Sequence, residues 1–305
     1  MDTVTYRTEA LDHAKVFENI VQGTCKYLTD NGLKAMVLGI SGGIDSTVTA
    51  AICHEAEKRT GIPLYGLSLP CTSNQADEVS SAALCGKEFC TEFKEVNLQD
   101  TFECVNGLCT SANGEETPIS QGNIKARLRM ITLYDLASKV GGIVMDTDNL
   151  TECFLGFWTI GGDEGDLNPI GGLWKHEVYS LAQWILDNVY PESSALKAAI
   201  DIVPTDGNGV KAGGDLAQIA PGATYETVDD ILMHWVNIND KIKKQIINSN
   251  FEDGYIGFLK RYYGGEIVFD VCMRSYRSEF KRRHTPLMID IYRGYVTDKE
   301  GRIIT

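Results

Sequence analysis

Apolar positions along the first half of the chain alternate between two rhythms. Leu11, Ala14, Val16, Phe17, Ile20 and Val21 recur at three-to-four spacing and predict a helix over 9–29. Ala35–Ile40 is a short, nearly continuous apolar run, as expected of a buried strand. A helix pattern over Ser46–Arg59 follows, then a strand over Leu64–Leu69 that Pro70 closes. Gln75–Phe89 reads as helix and Phe93–Leu98 as strand. The polar, glycine-containing stretch Cys109–Ser120 predicts a loop, Gln121–Val140 a long helix and Gly142–Asp146 another strand. Strands that alternate with helices predict an α/β fold, a mostly parallel, doubly wound sheet between two helical layers. In such sheets ligands sit beyond the carboxyl ends of the strands.

The second half is less regular. Leu150–Gly172 is rich in glycine, aspartate and aromatics, and its length predicts a functional loop. Helices are expected over His176–Asn188 and Val228–Asn237, separated by an irregular, Gly- and Pro-rich segment from Ile202 to Pro221. With 305 residues, 43% of them hydrophobic, the chain can bury a large core, and 1–305 reads as a single domain. In that reading 1–33 is an N-terminal helix and 276–305 a C-terminal lid or tail.

Composition narrows the function. A formal charge of −14 argues against a nucleic-acid binder, because such binding needs many Lys and Arg. "GNIKARLRM" and "RSYRSEFKRRH" are local basic clusters suited to a small bound anion. No run of eighteen apolar residues predicts a membrane span, and "MDTVTYRTEALDHAKVF" lacks the apolar core of a secretory leader. Nine cysteines without a Cys-x-x-Cys pair predict reduced thiols and a cytoplasmic protein.

The candidate chemistry starts at "GISGGIDST", Gly39 to Thr47, between the first apolar strand and the helix after it. Gly42 and Gly43 let backbone N–H groups approach an anion, and Ser41, Ser46 and Thr47 add hydroxyls at a helix N-terminus. A Walker loop would carry Lys after the glycines, and a dinucleotide fingerprint would read Gly-x-Gly-x-x-Gly; neither is present. Asp45 would repel the anion unless a cation lay between them, so the turn implies a divalent metal, Mg²⁺.

Ser41-Gly-Gly-Ile-Asp-Ser46 resembles the pyrophosphate loop of the N-type ATP pyrophosphatases, which include the NAD, GMP, asparagine and argininosuccinate synthetases. Further blocks resemble the NAD synthetases: "LPCTSNQADE", "GNIKARLRM", "DTDNLTECFLGFWT", "GGDEGDLNPIGGLWKHEV", "VPTDG", "GATYETVDDIL" and "SEFKRRHTP", in order from Lys34 to Pro286. The resemblance implies a three-layer, Rossmann-like fold with a five-stranded sheet. It implies ATP-dependent amidation of deamido-NAD by ammonia, through an acyl-adenylate, with release of pyrophosphate and AMP. It implies Gly39, Ser41, Gly42, Gly43, Asp45, Ser46, Gln75, Thr147, Lys175 and Thr205 on the ATP side, with Asp45, Lys175 and Thr205 catalytic. Asp45 and Glu152 match metal carboxylates. Asn123, Arg127, Phe157, Trp158, Asp163, Lys281 and Arg282 match the dinucleotide side. A homodimer is also implied, and no glutaminase domain is expected.

Departures from the family pattern gather on the acceptor and lid blocks. Ser68 and Ile160 stand where Arg and Lys are usual, Ile202 replaces a Lys, Ala217 and Gln218 replace an Asp-Glu pair, and Phe280 replaces a His. Arg127, Arg129 and Lys125 are the cations available to compensate. Two other readings stay open: a ligase of the same superfamily acting on another carboxylate, and a nucleotide-binding relative with weakened chemistry.

Overall fold

The structure, a computed structural model, describes residues 11–202, 216, 220–251, 254–284, 287–289, 294 and 296–297. Five parallel strands form the expected sheet: β1 (Met36–Gly39), β2 (Leu64–Ser68), β3 (Glu92–Glu95), β4 (Ile143–Met145) and β5 (Leu167–Asn168). The C-terminal segment extends it with β6 (Leu287–Ile289), parallel to β5, and β7 (Val296–Thr297), antiparallel to β6. The spatial order is β3-β2-β1-β4-β5-β6-β7.

Side-chain alternation explains the layers. Met36 and Leu38 of β1 and Ile143 and Met145 of β4 face one core, with α1 (His13–Asp30), α2 (Ile44–Thr60), α3 (Ala76–Phe89), α7 (Lys175–Asn188) and α8 (Ser194–Asp201). Val37 and Val144 face the other, against α4 (Gln99–Asn113) and α5 (Pro118–Val140). Fully buried side chains such as Ile20, Leu28, Leu38 and Ile52 each contribute about 1.5–3 kcal/mol by leaving water. A third core lies beyond the strand ends. It joins α6 (Leu150–Leu155) to α9 (Tyr225–Val236), α10 (Asp240–Asn248), α11 (Gly257–Tyr263) and α12 (Gly265–Arg277) through Trp174, Val228, Leu232, Trp235 and Val271.

Several elements differ from the sequence reading. Residues 109–113 belong to α4 and 118–120 to α5, so only the short link between them is a loop. The α4 helix was hidden because Phe102 is its one buried side chain and its other positions are half-buried or exposed. Pro118 sits in the first turn of α5, after the Thr117 cap, where its missing N–H costs nothing. The expected loop over Leu150–Gly172 contains α6 and β5. β3 pairs through Glu92–Glu95 rather than Phe93–Leu98, and its charged residues suit a sheet edge. Most of the Gly- and Pro-rich segment between Ile202 and Pro221 lies outside the described residues.

Strand order reverses between β1 and β4. The chain leaves β1 for β2 and β3 on one side and returns to β4 on the other. That crevice, at the carboxyl ends of β1 and β4, is where a doubly wound sheet opens to a ligand.

Candidate active site

The turn after β1 is built around a backbone conformation that only glycine holds comfortably. Gly42 has φ +87°, and a Cβ there would lie 2.2 Å from the Glu78 carbonyl oxygen and 2.7 Å from the Ala82 nitrogen on α3. Ser81 donates from Oγ to the Gly42 carbonyl at 2.8 Å and clamps the turn against that helix. Within the turn the hydroxyls brace one another. Ser41 Oγ accepts from the Gly43 N–H at 3.2 Å and shares a hydrogen bond with Ser46 Oγ at 3.0 Å. Ser46 and Thr47 donate to the Gly43 carbonyl at 3.1 and 2.9 Å. The first-turn N–H groups of α2, which have no carbonyl partner within the helix, are thereby aimed at one fixed place.

Three charged side chains from three elements meet beside this turn. Asp45 comes from the first turn of α2, Glu152 from α6 and Lys175 from the first residue of α7. Lys175 Nζ lies 2.5 Å from Asp45 Oδ2 and 3.1 Å from Glu152 Oε1, with the lysine side chain 3% exposed. Burial alone would lower the pKa of this ammonium, but Asp45 and Glu152 outweigh it and hold the pKa well above the ordinary lysine value. The sequence reading put Lys175 on a phosphate; here it bridges the two carboxylates. Asn149, also fully buried, donates from Nδ2 to Asp45 Oδ1 at 2.9 Å, and its own Oδ1 accepts from the Glu152 N–H at 3.1 Å. Asn149 was missed, although Asn with Glu three residues on is a capping-box signature.

Two carboxylates converging on one cation beside an N–H-lined turn fit a Mg²⁺, which takes one or two carboxylates and completes its shell with phosphate oxygens and water. Among the described residues no cluster of three or more His, Cys, Asp or Glu offers an all-protein metal cage.

A cavity of about 590 Å³ opens from the turn. Gly39, Ser41, Asp45 and Ser46 are among its lining residues, with Thr147, Asp148 and Glu152, and with Asn123, Phe157, Trp158, Asp163 and Lys281. Burial raises the pKa of Asp148, which lies beside Asp146, and also that of Asp163. Thr159 ties the far wall together, donating from its N–H to Asp163 Oδ2 at 2.5 Å and from Oγ1 to Asn123 Oδ1 at 2.8 Å. Lys281 reaches in from the C-terminal turn and donates to the Gly156 and Trp158 carbonyls at 2.8 and 2.5 Å. Burial, then the nearby Arg274, lowers its pKa.

Not every expected residue reaches this cavity. Gln75 is exposed, its N–H donating to Glu78 Oε2 at 3.1 Å as α3 begins. Arg127 is exposed and donates to the Ile160 carbonyl at 3.1 Å. Arg282 donates to the Phe154 carbonyl at 3.0 Å and the Ser275 carbonyl at 2.9 Å, tying the C-terminal turn to α6 and α12. Gln75, Arg127 and Arg282 lie outside the cavity lining, as do Gly42, Gly43 and the buried Lys175, whereas Arg129, weighed only as a compensating cation, and Arg274, which was not chosen, line it. Arg129 donates to the Leu69 carbonyl at 3.2 Å, and Arg274 lies 5.0 Å from the centre of the Phe157 ring. Thr205, with Gln218 among the departures, falls outside the described residues.

A family model described as NAD synthase matches residues 16–284. The chain belongs to the NAD synthase family. Members of this family are ATP-using ligases, and the NAD synthase match spans every block on which the resemblance rested except the last residues of the C-terminal one. The NH(3)-dependent NAD(+) synthetase of Wolinella succinogenes is 38% identical over 265 residues, which cover 85% of this chain and 90% of that protein. The enzyme of the same name from Finegoldia magna is 32% identical over 242 residues, 77% of this chain and 90% of its own. Among solved structures, NAD+ synthetase from Burkholderia pseudomallei superposes with a TM-score of 0.62 at 26% identity, over 91% of this chain and 92% of that one. NMN synthetase from Francisella tularensis shares the fold, with a TM-score of 0.69 at 24% identity over 90% and 97% of the two chains.

Proposed function

We propose that this NAD synthase family member is an ammonia-dependent NAD synthetase. It would amidate the nicotinate carboxylate of deamido-NAD in two steps. A carboxylate oxygen attacks the α-phosphorus of ATP, and the bond to pyrophosphate breaks. Ammonia then attacks the acyl carbon, the bond to AMP breaks and a proton leaves the nitrogen. The observation that carries this reading is the Asp45–Lys175–Glu152 cluster beside the glycine turn, at the switch point of the sheet. A bound Mg²⁺, held by Asp45 and Glu152, would draw charge off the phosphate oxygens.

The chain's own groups supply the rest. N–H groups at the start of α2 receive the leaving pyrophosphate, and Ser41 and Ser46 hold the turn that aims them. Lys175, held between Asp45 and Glu152 beside the turn, would neutralise phosphate charge there. Phe157 and Trp158 offer faces for the nicotinate ring, and Arg129 and Lys281 place cations on the acceptor wall. No group needs to act as a covalent nucleophile, and positioning supplies most of the acceleration. Ammonia as nitrogen source is supported by the match to about nine-tenths of the Wolinella and Finegoldia enzymes.

No helix among the described residues is long and apolar enough to cross a membrane, and we place the reaction in the cytoplasm. Exposed Ile119, Ile131 and Tyr134 on α5 support assembly as a homodimer.

The test incubates the protein with Mg-ATP, ammonium and deamido-NAD. NAD, AMP and pyrophosphate are expected in equal amounts, with no NAD when glutamine replaces ammonium. A second reading, a different carboxylate acceptor, is favoured by Ser68, buried in the cavity wall where the family carries a cation. AMP and pyrophosphate released only with another acid would establish it.

A further inference from the structure

Asp229, on α9 in the helical cluster behind the site, is completely buried. Its Oδ1 accepts from Thr151 Oγ1 at 2.5 Å. Its Oδ2 accepts from the His176 backbone N–H at 2.9 Å and pairs with His176 Nδ1 at 2.8 Å. Thr151 Oγ1 in turn accepts from the Lys175 backbone N–H at 2.8 Å.

These four contacts cap α7 from outside. The residue before that helix is Trp174, whose indole is a donor only and cannot receive the first-turn N–H groups. Thr151 and Asp229 receive them instead, and both bonded N–H groups flank the Lys175 side chain. Thr151 also directly precedes Glu152 on α6. One buried carboxylate thus holds the first turn of α6 and the first turn of α7 against each other. The same helix α9 begins with Tyr225, whose ring centre lies 5.6 Å from Lys175 Nζ.

We infer that Asp229 is a positioning residue: acting through Thr151 and His176, it sets Lys175 and Glu152 at the separation that lets them share one cation site with Asp45. Lys175 has four rotatable side-chain bonds, so its ammonium is only as well placed as its backbone. A displacement of about 1 Å at such a group costs on the order of a hundredfold in rate. A purely architectural tie between helices would need no contact at the two residues adjoining Lys175 and Glu152.

This inference rests on the ATP-using part of the proposed function and not on the acceptor. The test is calorimetric titration of the full chain with Mg-ATP, without acceptor, alongside thermal melts, for Asp229→Asn, Thr151→Val and Thr151→Ser. Asp229→Asn and Thr151→Val are expected to melt cooperatively and bind Mg-ATP at least about tenfold more weakly. Thr151→Ser, which keeps the hydroxyl, should bind within about threefold of the unaltered protein. In turnover assays the same two variants should lose kcat while KM for deamido-NAD stays put. Cooperative melting with unchanged Mg-ATP affinity in Thr151→Val overturns the inference. Should Asp229→Asn not fold, the Thr151 pair decides. Should Thr151→Val also lose its cooperative melt, the network holds the fold rather than the lysine, and the inference fails. An unaltered protein that binds Mg-ATP but forms no NAD sinks the proposed acceptor alone.

Discussion

Asp45, Glu152 and Lys175 are one unit at the scale of single residues. Without a metal the lysine supplies the positive charge that both carboxylates need. Lys175→Met should destabilise the metal-free protein by about 2–3 kcal/mol, because two partly buried carboxylates then face each other without the ammonium between them. Added Mg²⁺ should recover more of the melting temperature in that variant than in the unaltered chain, as read by differential scanning calorimetry with and without chelator. Asp45→Asn should leave the fold intact and cut pyrophosphate release at least about a hundredfold, by weakening the metal site; unchanged release would remove Asp45 from that role. Gly42→Ala places a methyl into the Glu78 carbonyl at an unfavourable φ, and urea unfolding should register a loss of about 2–4 kcal/mol.

Elements were legible where burial leaves a plain apolar pattern, a continuous run in a strand buried on both faces or a three-to-four spacing in a helix. The continuous apolar strands β1 and β4 and the helices around them follow from apolar spacing. The α4 helix did not show itself, because Phe102 is its one buried side chain and its other positions are half-buried or exposed. Helices α10, α11 and α12 were missed too. Their buried positions, among them Ile246, Leu259, Val268 and Val271, are short sets divided by Gly254, Gly257, Gly264 and Gly265.

The α2 helix carries a testable consequence of its burial. His54 lies between Phe89 and Tyr190, and burial, aided by Lys58, lowers its pKa from the usual 6.5. The unfolded chain then takes up a proton that the folded chain refuses. Stability should therefore fall as pH drops from about 6.5 through the depressed native value. His54→Phe should flatten that decline, seen as a smaller difference between urea midpoints at pH 7 and pH 5.

For the whole molecule, the α5 face that carries exposed Ile119, Ile131 and Tyr134 is the place to look for a second copy. Light scattering should report a dimer for the unaltered chain and a shift toward monomer for Ile131→Glu. A monomeric unaltered protein would remove the homodimer from the proposed function. The helical cluster α9–α12 belongs to the same scale. Through Asp229 it reaches the site from behind, and Arg274, with Lys281 from the turn that follows the cluster, closes one wall of the cavity.

By itself the sequence determined the sheet's parallel core and the phosphate-type turn, because both are local. A buried strand needs an unbroken apolar run, and an anion-facing turn needs adjacent glycines and hydroxyls within a few residues. It also supplied, through ordered blocks, the family and about a third of the residues that line the cavity. Only the tertiary structure decided that Lys175 lies between Asp45, 130 positions away, and Glu152, 23 positions away. It alone decided that Arg129 rather than Arg127 lines the cavity, a matter of which side of α5 is buried. Such choices depend on how helices pack across the sheet, and packing is set by the sum of buried surfaces rather than by any neighbour in the chain.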